Sequence, residues 1–325
     1  MKINRFNHQV ELLEKIKEKI QLTLSYADEV ADILQISKDA VYRRMRGETA
    51  LSLDEAMMLI EHFQIENPFQ ITNSTVNFQY ETYTNDKNEI QRYLQKLISD
   101  LELIRQIKTS ELIFCAEDVP LFHYFNFPLL AAFKLFYWQK SILYTDSFQD
   151  KIFDTSIIDE NLLSLSKDLT SKYANIPSIE IWTDNTINSV LQQIIFYHEA
   201  GYIPNKDITL DILAEVKAMV DALENQTING IKHHSNSIFQ LYLSDITIGN
   251  NCILTKNEST SVLYLSYNTF NILKCNDVQF INENEKWINR IIDNSIPLSK
   301  SSQKIRNKFF QKLRNKIDVL VKTID

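Results

Sequence analysis

The chain has 325 residues, of which 44% are hydrophobic, so two or three domains with packed cores are expected. Its 34 Lys and Arg face 42 Asp and Glu, a formal net charge of −8, which disfavours general coating of nucleic acid but permits a local basic surface. No apolar run approaches the roughly 18 residues of a membrane span, and no cleavable apolar block opens the sequence, so we expect a cytoplasmic protein without a membrane partner.

The number and spacing of the glycines and cysteines disfavour further classes of protein. The four glycines are too far apart to form a G-x-G-x-x-G turn or a P-loop; they are Gly47, Gly201, Gly230 and Gly249. Enzymes that hold ATP, GTP or NAD phosphates in a glycine-rich loop are therefore disfavoured, and we expect no cofactor. The three cysteines are few and distant in sequence, which fits reduced thiols in a cytosol; they are Cys115, Cys252 and Cys275.

The first seventy residues predict four helices. Apolar side chains at a spacing of three and four predict helices over residues 3–24 and 26–34. Ser37 is suited to cap the start of a third helix, and Gly47 is suited to end it. A capping box over residues 52–55 begins the fourth helix. An all-helical domain over the first seventy residues is therefore expected.

A polar segment separates these helices from the rest of the chain. Thr, Asn, Ser and Tyr dominate residues 71–88, and apolar residues alternate over 76–80 in the pattern of a short strand. Apolar positions at helical spacing then predict a long amphipathic helix over 90–107. We assign 71–109 as a linker followed by this helix.

Short apolar runs alternate with helical patterns through the remainder. The runs predict strands over 111–116, 178–182, 238–243, 252–256 and 261–267. The helical patterns lie over 128–144, 159–174, 186–200, 208–225, 281–293 and 301–324. The expected fold class is therefore α+β multidomain, with an all-helical domain over 1–70 and a larger α/β domain over 110–325.

Positive charge is concentrated on the third predicted helix. Residues 38–46 hold four cations and one anion, a net charge of +3 in a chain whose total is −8. Helical geometry puts several of its side chains on one face, namely Lys38, Asp39, Tyr42, Arg43 and Arg46. Val41 and Met45 fall on the opposite face, towards the second helix. A helix with such an outer face fits the major groove of DNA, where Arg and Lys reach guanine acceptors.

Two short helices joined by a tight turn, with cations on the second, are the pattern of a helix-turn-helix. Residues 25–63 resemble the Cro-like helix-turn-helix regulators (phage-repressor or XRE type), of the kind common in Bacteroidetes-like bacteria. The residues that carry the resemblance are Val30-Ala31, Ile36-Ser37, Val41, Arg46-Gly47, Leu51-Ser52 and the run 59–63. The chain departs from the family pattern at Gln35, where glycine is usual, and at Arg44-Met45, where an aromatic-acid pair is usual.

The resemblance implies a sequence-specific transcriptional regulator that binds double-stranded DNA. Side chains expected to reach base edges are Lys38, Asp39, Tyr42 and Arg43, and those expected to hold phosphates are Ser37, Arg44 and Arg46. Residues 1–70 contain nine Lys or Arg and twelve Asp or Glu, a net charge of −3, so binding by charge alone would be weak. We therefore expect a homodimer that spans two half-sites about 34–36 Å apart.

The second domain shows no pattern of catalytic residues, so an enzyme is not expected. None of the six histidines stands at ligand spacing from a Cys or a carboxylate, and the adjacent His233 and His234 would point apart on a helix, so no metal is expected. The order of elements is weakly similar to the phospholipase-D-like sandwich, whose His-x-Lys signature is missing, which implies a non-catalytic sensor. A small-molecule or protein effector would then bind where "CAEDVPLFHYF" and "EIWTDNT" leave their strands.

Two further features leave alternatives open. Aromatic residues are dense over 122–144, as a hydrophobic core or a ligand cage would require. The last helix has an apolar stripe, and residues 300–325 carry a net charge of +6, which fits docking on the sheet, dimerisation or an auxiliary contact to the DNA backbone. The alternative to a sensor is a stack of helical hairpins that binds peptides or partners behind a repressor-type head, although the β-branched runs near 178 and 262 disfavour it.

Overall fold

The computed structural model describes residues 7–19, 26–65, 76–80, 88–107, 109–233, 235–257, 261–267 and 272–324. The chain divides into two compact units, residues 1–77 and 78–325. The predicted helical residues 20–24 and most of the predicted linker lie outside the described residues.

Helices make up the described secondary structure of the first unit. They are α1 (Asn7–Lys19), α2 (Tyr26–Leu34), α3 (Lys38–Met45) and α4 (Leu53–His62). Their apolar faces meet in one core, whose buried members are Leu12, Leu13, Ile16, Ala27, Val30, Ala31, Val41, Ala56, Leu59 and Ile65. The helical periodicity of the sequence therefore predicted this unit correctly.

The second unit alternates helices and strands. In chain order it contains α5 (Glu89–Gln106), β1 (Glu111–Cys115), α6 (Leu121–Tyr124), α7 (Pro128–Tyr137), α8 (Asp146–Gln149), α9 (Glu160–Ala174), β2 (Ser178–Trp182), α10 (Asn188–Glu199), α11 (Lys206–Asn229), β3 (Phe239–Leu243), β4 (Cys252–Lys256), β5 (Ser261–Ser266), β6 (Ile272–Cys275), α12 (Val278–Asn294), β7 (Ile296–Pro297) and α13 (Gln303–Ile324). The five predicted strands are present. β6 and β7 were not predicted, because four and two residues are too few to show an alternating pattern.

The described strands form one mixed sheet of seven, in the order β6-β5-β4-β1-β2-β3-β7. β1, β2 and β3 are parallel neighbours, with Ile113 opposite Ile179 and Ile179 opposite Gln240. The other pairings are antiparallel: β4 with β1, β5 with β4, β6 with β5, and β7 with β3. The α/β character predicted for this part of the chain is confirmed, and the sheet does not fit a stack of helical hairpins.

Helices pack around the sheet and share a large hydrophobic core with it. α5 packs against α9, and α11 packs against α7, α10 and α13. Most of the aromatic residues in the segment 122–144 are buried there, including Phe122, Tyr124, Phe125, Phe133, Phe136 and Trp138. Their density in the sequence therefore reflects core packing.

The last helix docks on the helical layer beside α11. Its apolar stripe is buried at Phe309, Leu313 and Ile317, as is the neighbouring Phe310. Several of its charged side chains pair with charges of adjacent elements: Lys312 with Asp184, Arg314 with Asp221 and Glu224, and Asp318 with Lys217. The helix is docked as predicted, but against α11 and α10 where the sheet was expected, and its roles in dimerisation or DNA contact stay predictions.

Two segments differ locally from the prediction. The helix predicted over 128–144 is α7 followed by a π-helical turn, Trp138–Ile142. The alternating residues 76–80 form a single β bridge, between Gln79 and Lys274, in place of a strand.

All three cysteines are free and buried. In the described part of the chain, no helix combines the length and the apolar character needed to cross a bilayer.

Candidate nucleic-acid interface

α3 is anchored to the first unit by its apolar side. Val41 is completely buried and belongs to the same core as Val30 of α2. Met45, Ile33 and Ile36 are partly buried against that core, as the helical spacing predicted. The orientation of α3 about its own axis is thereby fixed, so its opposite side faces outward.

The turn between α2 and α3 fixes the angle at which α3 begins. Gln35 has φ of +51°, in the left-handed region, and the next amide, that of Ile36, donates to the Ala31 carbonyl oxygen at 3.0 Å. Ser37 is extended, and its hydroxyl accepts a hydrogen bond from the Ala40 amide at 3.3 Å, as an N-cap does. The predicted N-cap is present. The first amides of a helix have no acceptor within the helix, which is why a helix N-terminus suits a phosphate.

The outward side of α3 carries the predicted DNA-reading residues. Tyr42 is 48% exposed, although large hydrophobic side chains are usually buried. The charged side chains of this face are 55–70% exposed: Lys38, Asp39, Arg43 and Arg46. The structure therefore brings these five residues together on one accessible surface.

Each exposed cation on this surface has an acidic neighbour. Lys38 pairs with Asp28, Arg43 with Asp39 at 3.1 Å, and Arg46 with Glu48 at 2.7 Å. Hydrogen bonding to Asp28 raises the pKa of Lys38, and hydrogen bonding to Glu48 raises the pKa of Arg46, so both stay charged. Exposed ion pairs contribute little to stability, so a phosphate or a base edge can replace the acid at little cost.

Arg44 differs from the other cations because it points into the unit. Its side chain is 14% exposed, and its Nη2 donates to Glu55 Oε1 at 2.8 Å. Glu55 in turn accepts from the Ser52 amide and caps α4, which is the predicted capping box. Arg44 therefore connects α3 to the start of α4, and its predicted phosphate contact stays a prediction.

Gln9 of α1 holds the loop that follows α3, a role that the sequence did not predict. Its Nε2 donates to the carbonyl oxygens of Arg44 at 2.7 Å and Thr49 at 2.8 Å, and its Oε1 accepts from the Leu51 amide at 2.7 Å. Gly47, with φ of +70°, ends α3 as predicted. The sequence gives little indication of this role of Gln9, because a glutamine on an amphipathic helix usually faces solvent.

The acidic pair that follows β1 divides between two environments. Asp118 accepts hydrogen bonds from Tyr124 at 3.0 Å and Ser189 at 3.2 Å, while Glu117 is exposed. No group of three His, Cys, Asp or Glu within reach of one metal ion occurs among the described residues. His234 of the predicted histidine pair lies outside them.

No family model, no curated protein and no solved structure matches this chain. The functional assignment therefore depends on the geometry of α3 and on the chemistry of its exposed side chains.

Proposed function

We propose that the chain is a sequence-specific DNA-binding transcriptional regulator whose α2 and α3 form a Cro-like helix-turn-helix. α3 is the recognition helix and enters the major groove. The observation that carries the proposal is the division of α3 into two sides, with Val41 completely buried and Tyr42 beside it 48% exposed among cations.

The exposed residues of α3 and its ends fall into two groups, those that contact bases and those that contact phosphates. Lys38, Asp39, Tyr42 and Arg43 lie on the first two turns of α3, from which a recognition helix contacts base edges. Ser37 at the helix N-terminus and Arg46 after its last turn are placed for phosphates. Arg44 has a positioning role through Glu55.

The second unit supplies sensing or dimerisation in this proposal. A homodimer would place two copies of α3 on successive major grooves and so double the number of direct contacts to DNA, which the net charge of −3 over residues 1–70 makes necessary. The likeness of the second unit to the phospholipase-D-like sandwich stays a prediction. We propose no catalytic role for that unit, because the His-x-Lys signature is missing from the sequence.

Selection of bound fragments from randomised DNA tests the proposal. Wild-type protein should enrich one sequence with two related half-sites. Arg43→Ala should relax the preference at one base position by roughly 1–3 kcal/mol if Arg43 contacts that base. Lys17→Ala, which removes an exposed cation of α1, is the matched control and should enrich the wild-type sequence.

The outcomes separate base reading from electrostatic binding. A uniform loss of affinity for all sequences in Arg43→Ala would move Arg43 to the phosphate-binding group. Enrichment of no common sequence by the wild-type protein would overturn the proposed function.

A further inference from the structure

β2 carries a carboxylate in the interior of the second unit. Glu180 is completely buried, and its oxygens accept hydrogen bonds from His123 Nε2 at 2.9 Å, from Trp182 Nε1 at 2.8 Å and from the Tyr173 hydroxyl. Burial by itself would raise the pKa of Glu180. The charge and hydrogen bond of His123, the hydrogen bond of Tyr173 and the charge of Lys232 together outweigh burial, so the pKa lies below its ordinary value. Glu180 is therefore ionised inside the protein.

One ring nitrogen of His123 has no partner among the residues that the structure describes. An ionised carboxylate only accepts hydrogen bonds, so Nε2 of His123 carries the proton that it donates to Glu180. Nδ1 has no partner in the described part of the chain, although the residue is only 4% exposed. His123 lines a cavity of about 340 Å³, where Nδ1 is available to a ligand.

Lys232 brings a second buried donor to the same cavity. Its ammonium donates to the Tyr173 carbonyl oxygen at 2.8 Å and lies 3.2 Å from the centre of the Tyr173 ring. An ammonium has three N–H donors, and the described residues accept from one of them. Burial lowers the pKa of Lys232 well below its ordinary value, and the charge of Glu180 opposes this shift. A bound anion would supply the missing acceptors and favour the charged ammonium.

The lining of the cavity contrasts with the acidic composition of the chain. Exposed Lys167 and His233 lie at the mouth, and buried His123, Tyr173 and Lys232 form the floor. Amide and hydroxyl side chains contribute much of the remaining wall, and no described Asp or Glu takes part. A volume near 340 Å³ lies within the range of small-molecule sites. The lining therefore offers cations and neutral donors, and Glu180, which accepts from His123, is not part of it.

We propose that this cavity binds a small anionic metabolite through its phosphate or carboxylate group. Lys232 donates to the oxyanion at the floor, and so does Nδ1 of His123 when both ring nitrogens carry a proton. Lys167 contacts the oxyanion from the mouth. Binding here does not depend on DNA binding, and only an effect of the metabolite on operator affinity rests on the function proposed above. A failure of one proposal therefore leaves the other intact.

The test is a titration of the full chain with inorganic phosphate and, separately, with acetate at constant ionic strength. Isotope-edited NMR of the histidine side chains follows it, and the His123 signals are assigned by their loss in His123→Gln. We expect a saturable shift of these signals with at least one of the two ions and none with glycerol. The ion that saturates at the lower concentration identifies the phosphate or the carboxylate as the recognised group.

Variants then locate the site. Lys232→Met and Lys167→Met should each weaken binding about tenfold or more, because each removes a charge-assisted hydrogen bond. Lys167 is exposed, so its replacement keeps the test valid if Lys232→Met does not fold. The control is Lys206→Met, an exposed lysine about 30 Å along α11 from Gln226 of the cavity wall.

Two results would overturn the proposal. One is the absence of a saturable shift in the wild-type protein with both ions. The other is equal binding by Lys167→Met and Lys206→Met, which would place the ion elsewhere on the surface.

Discussion

Glu180 of β2 is a buried charge that joins α6 and α9 to the sheet through His123 and Tyr173. Replacement by Gln leaves His123 and Lys232 without their counter-charge, and removal of one member of a buried ion pair costs about 3–5 kcal/mol. We expect Glu180→Gln to lower the free energy of unfolding by about 3 kcal/mol at neutral pH. Urea unfolding followed by tryptophan fluorescence reports on this unit alone, because it contains every tryptophan of the chain, namely Trp138, Trp182 and Trp287.

The same variant should change the response of stability to acid. The pKa of Glu180 lies below its ordinary value of 4.5 in the folded state, so the unfolded state binds more protons as the pH falls. The stabilisation is complete above that ordinary value and is lost as the pH falls through the folded pKa. Wild type should therefore lose stability in acid more steeply than Glu180→Gln, and exposed Glu199→Gln should follow wild type. Parallel acid profiles for wild type and Glu180→Gln would contradict this.

Gln35 explains why one departure from the Cro-like pattern is compatible with the observed turn. Its φ of +51° is the left-handed conformation that glycine adopts without cost, and another residue pays about 1–2 kcal/mol there. The family pattern has glycine at this position, so the conformation could be anticipated from the resemblance. Gln35 itself is exposed, and the buried side chains of Val30 and Val41 belong to the core on either side of the turn.

Secondary-structure elements whose signals are local were predicted well. The caps at Ser37 and Ser52 and the end of α3 at Gly47 each depend on residues within one turn of the helix, so their sequence patterns are sufficient. The pair of His123 and Glu180 is different, because 57 positions separate the two residues and only the fold brings them together. The glutamate inside the apolar run of β2 indicates a buried charge already in the sequence. The hydrogen-bond partners of that glutamate cannot be identified there.

α13 shows that a cationic helix can be a structural element. Leu313 is completely buried in the core beside α11, so Leu313→Ala should cost about 2–5 kcal/mol of the free energy of unfolding. Val319→Ala on the same helix is the matched control, since Val319 is 62% exposed and its truncation should change stability little. Urea unfolding by tryptophan fluorescence measures both. Equal stabilities of the two variants would show that α13 does not contribute to the core.

At the scale of the whole molecule, the net negative charge of the first 70 residues limits the ways in which the protein can bind DNA. The first 70 residues carry a net charge of −3, so long-range attraction to DNA is absent and the contacts of α3 must supply the affinity. One α3 offers few phosphate contacts, because Arg44 is engaged by Glu55 and only Ser37 and Arg46 are assigned to phosphates. Two copies held in one dimer double the number of contacts, and for that reason we expect the dimer to be the DNA-binding species.

The dimer predicts a strict dependence on the spacing of the half-sites. Inserting about five base pairs between them rotates one half-site to the opposite side of the duplex, since one helical turn takes about 10–10.5 base pairs. Affinity for the selected operator should then fall to that of a single half-site, and an insertion of about ten base pairs should restore part of it. Fluorescence anisotropy at one fixed salt concentration measures the three operators, because salt alone shifts such affinities. Equal affinity for all three would mean that each copy of α3 binds on its own, and the dimer would then have no part in recognition.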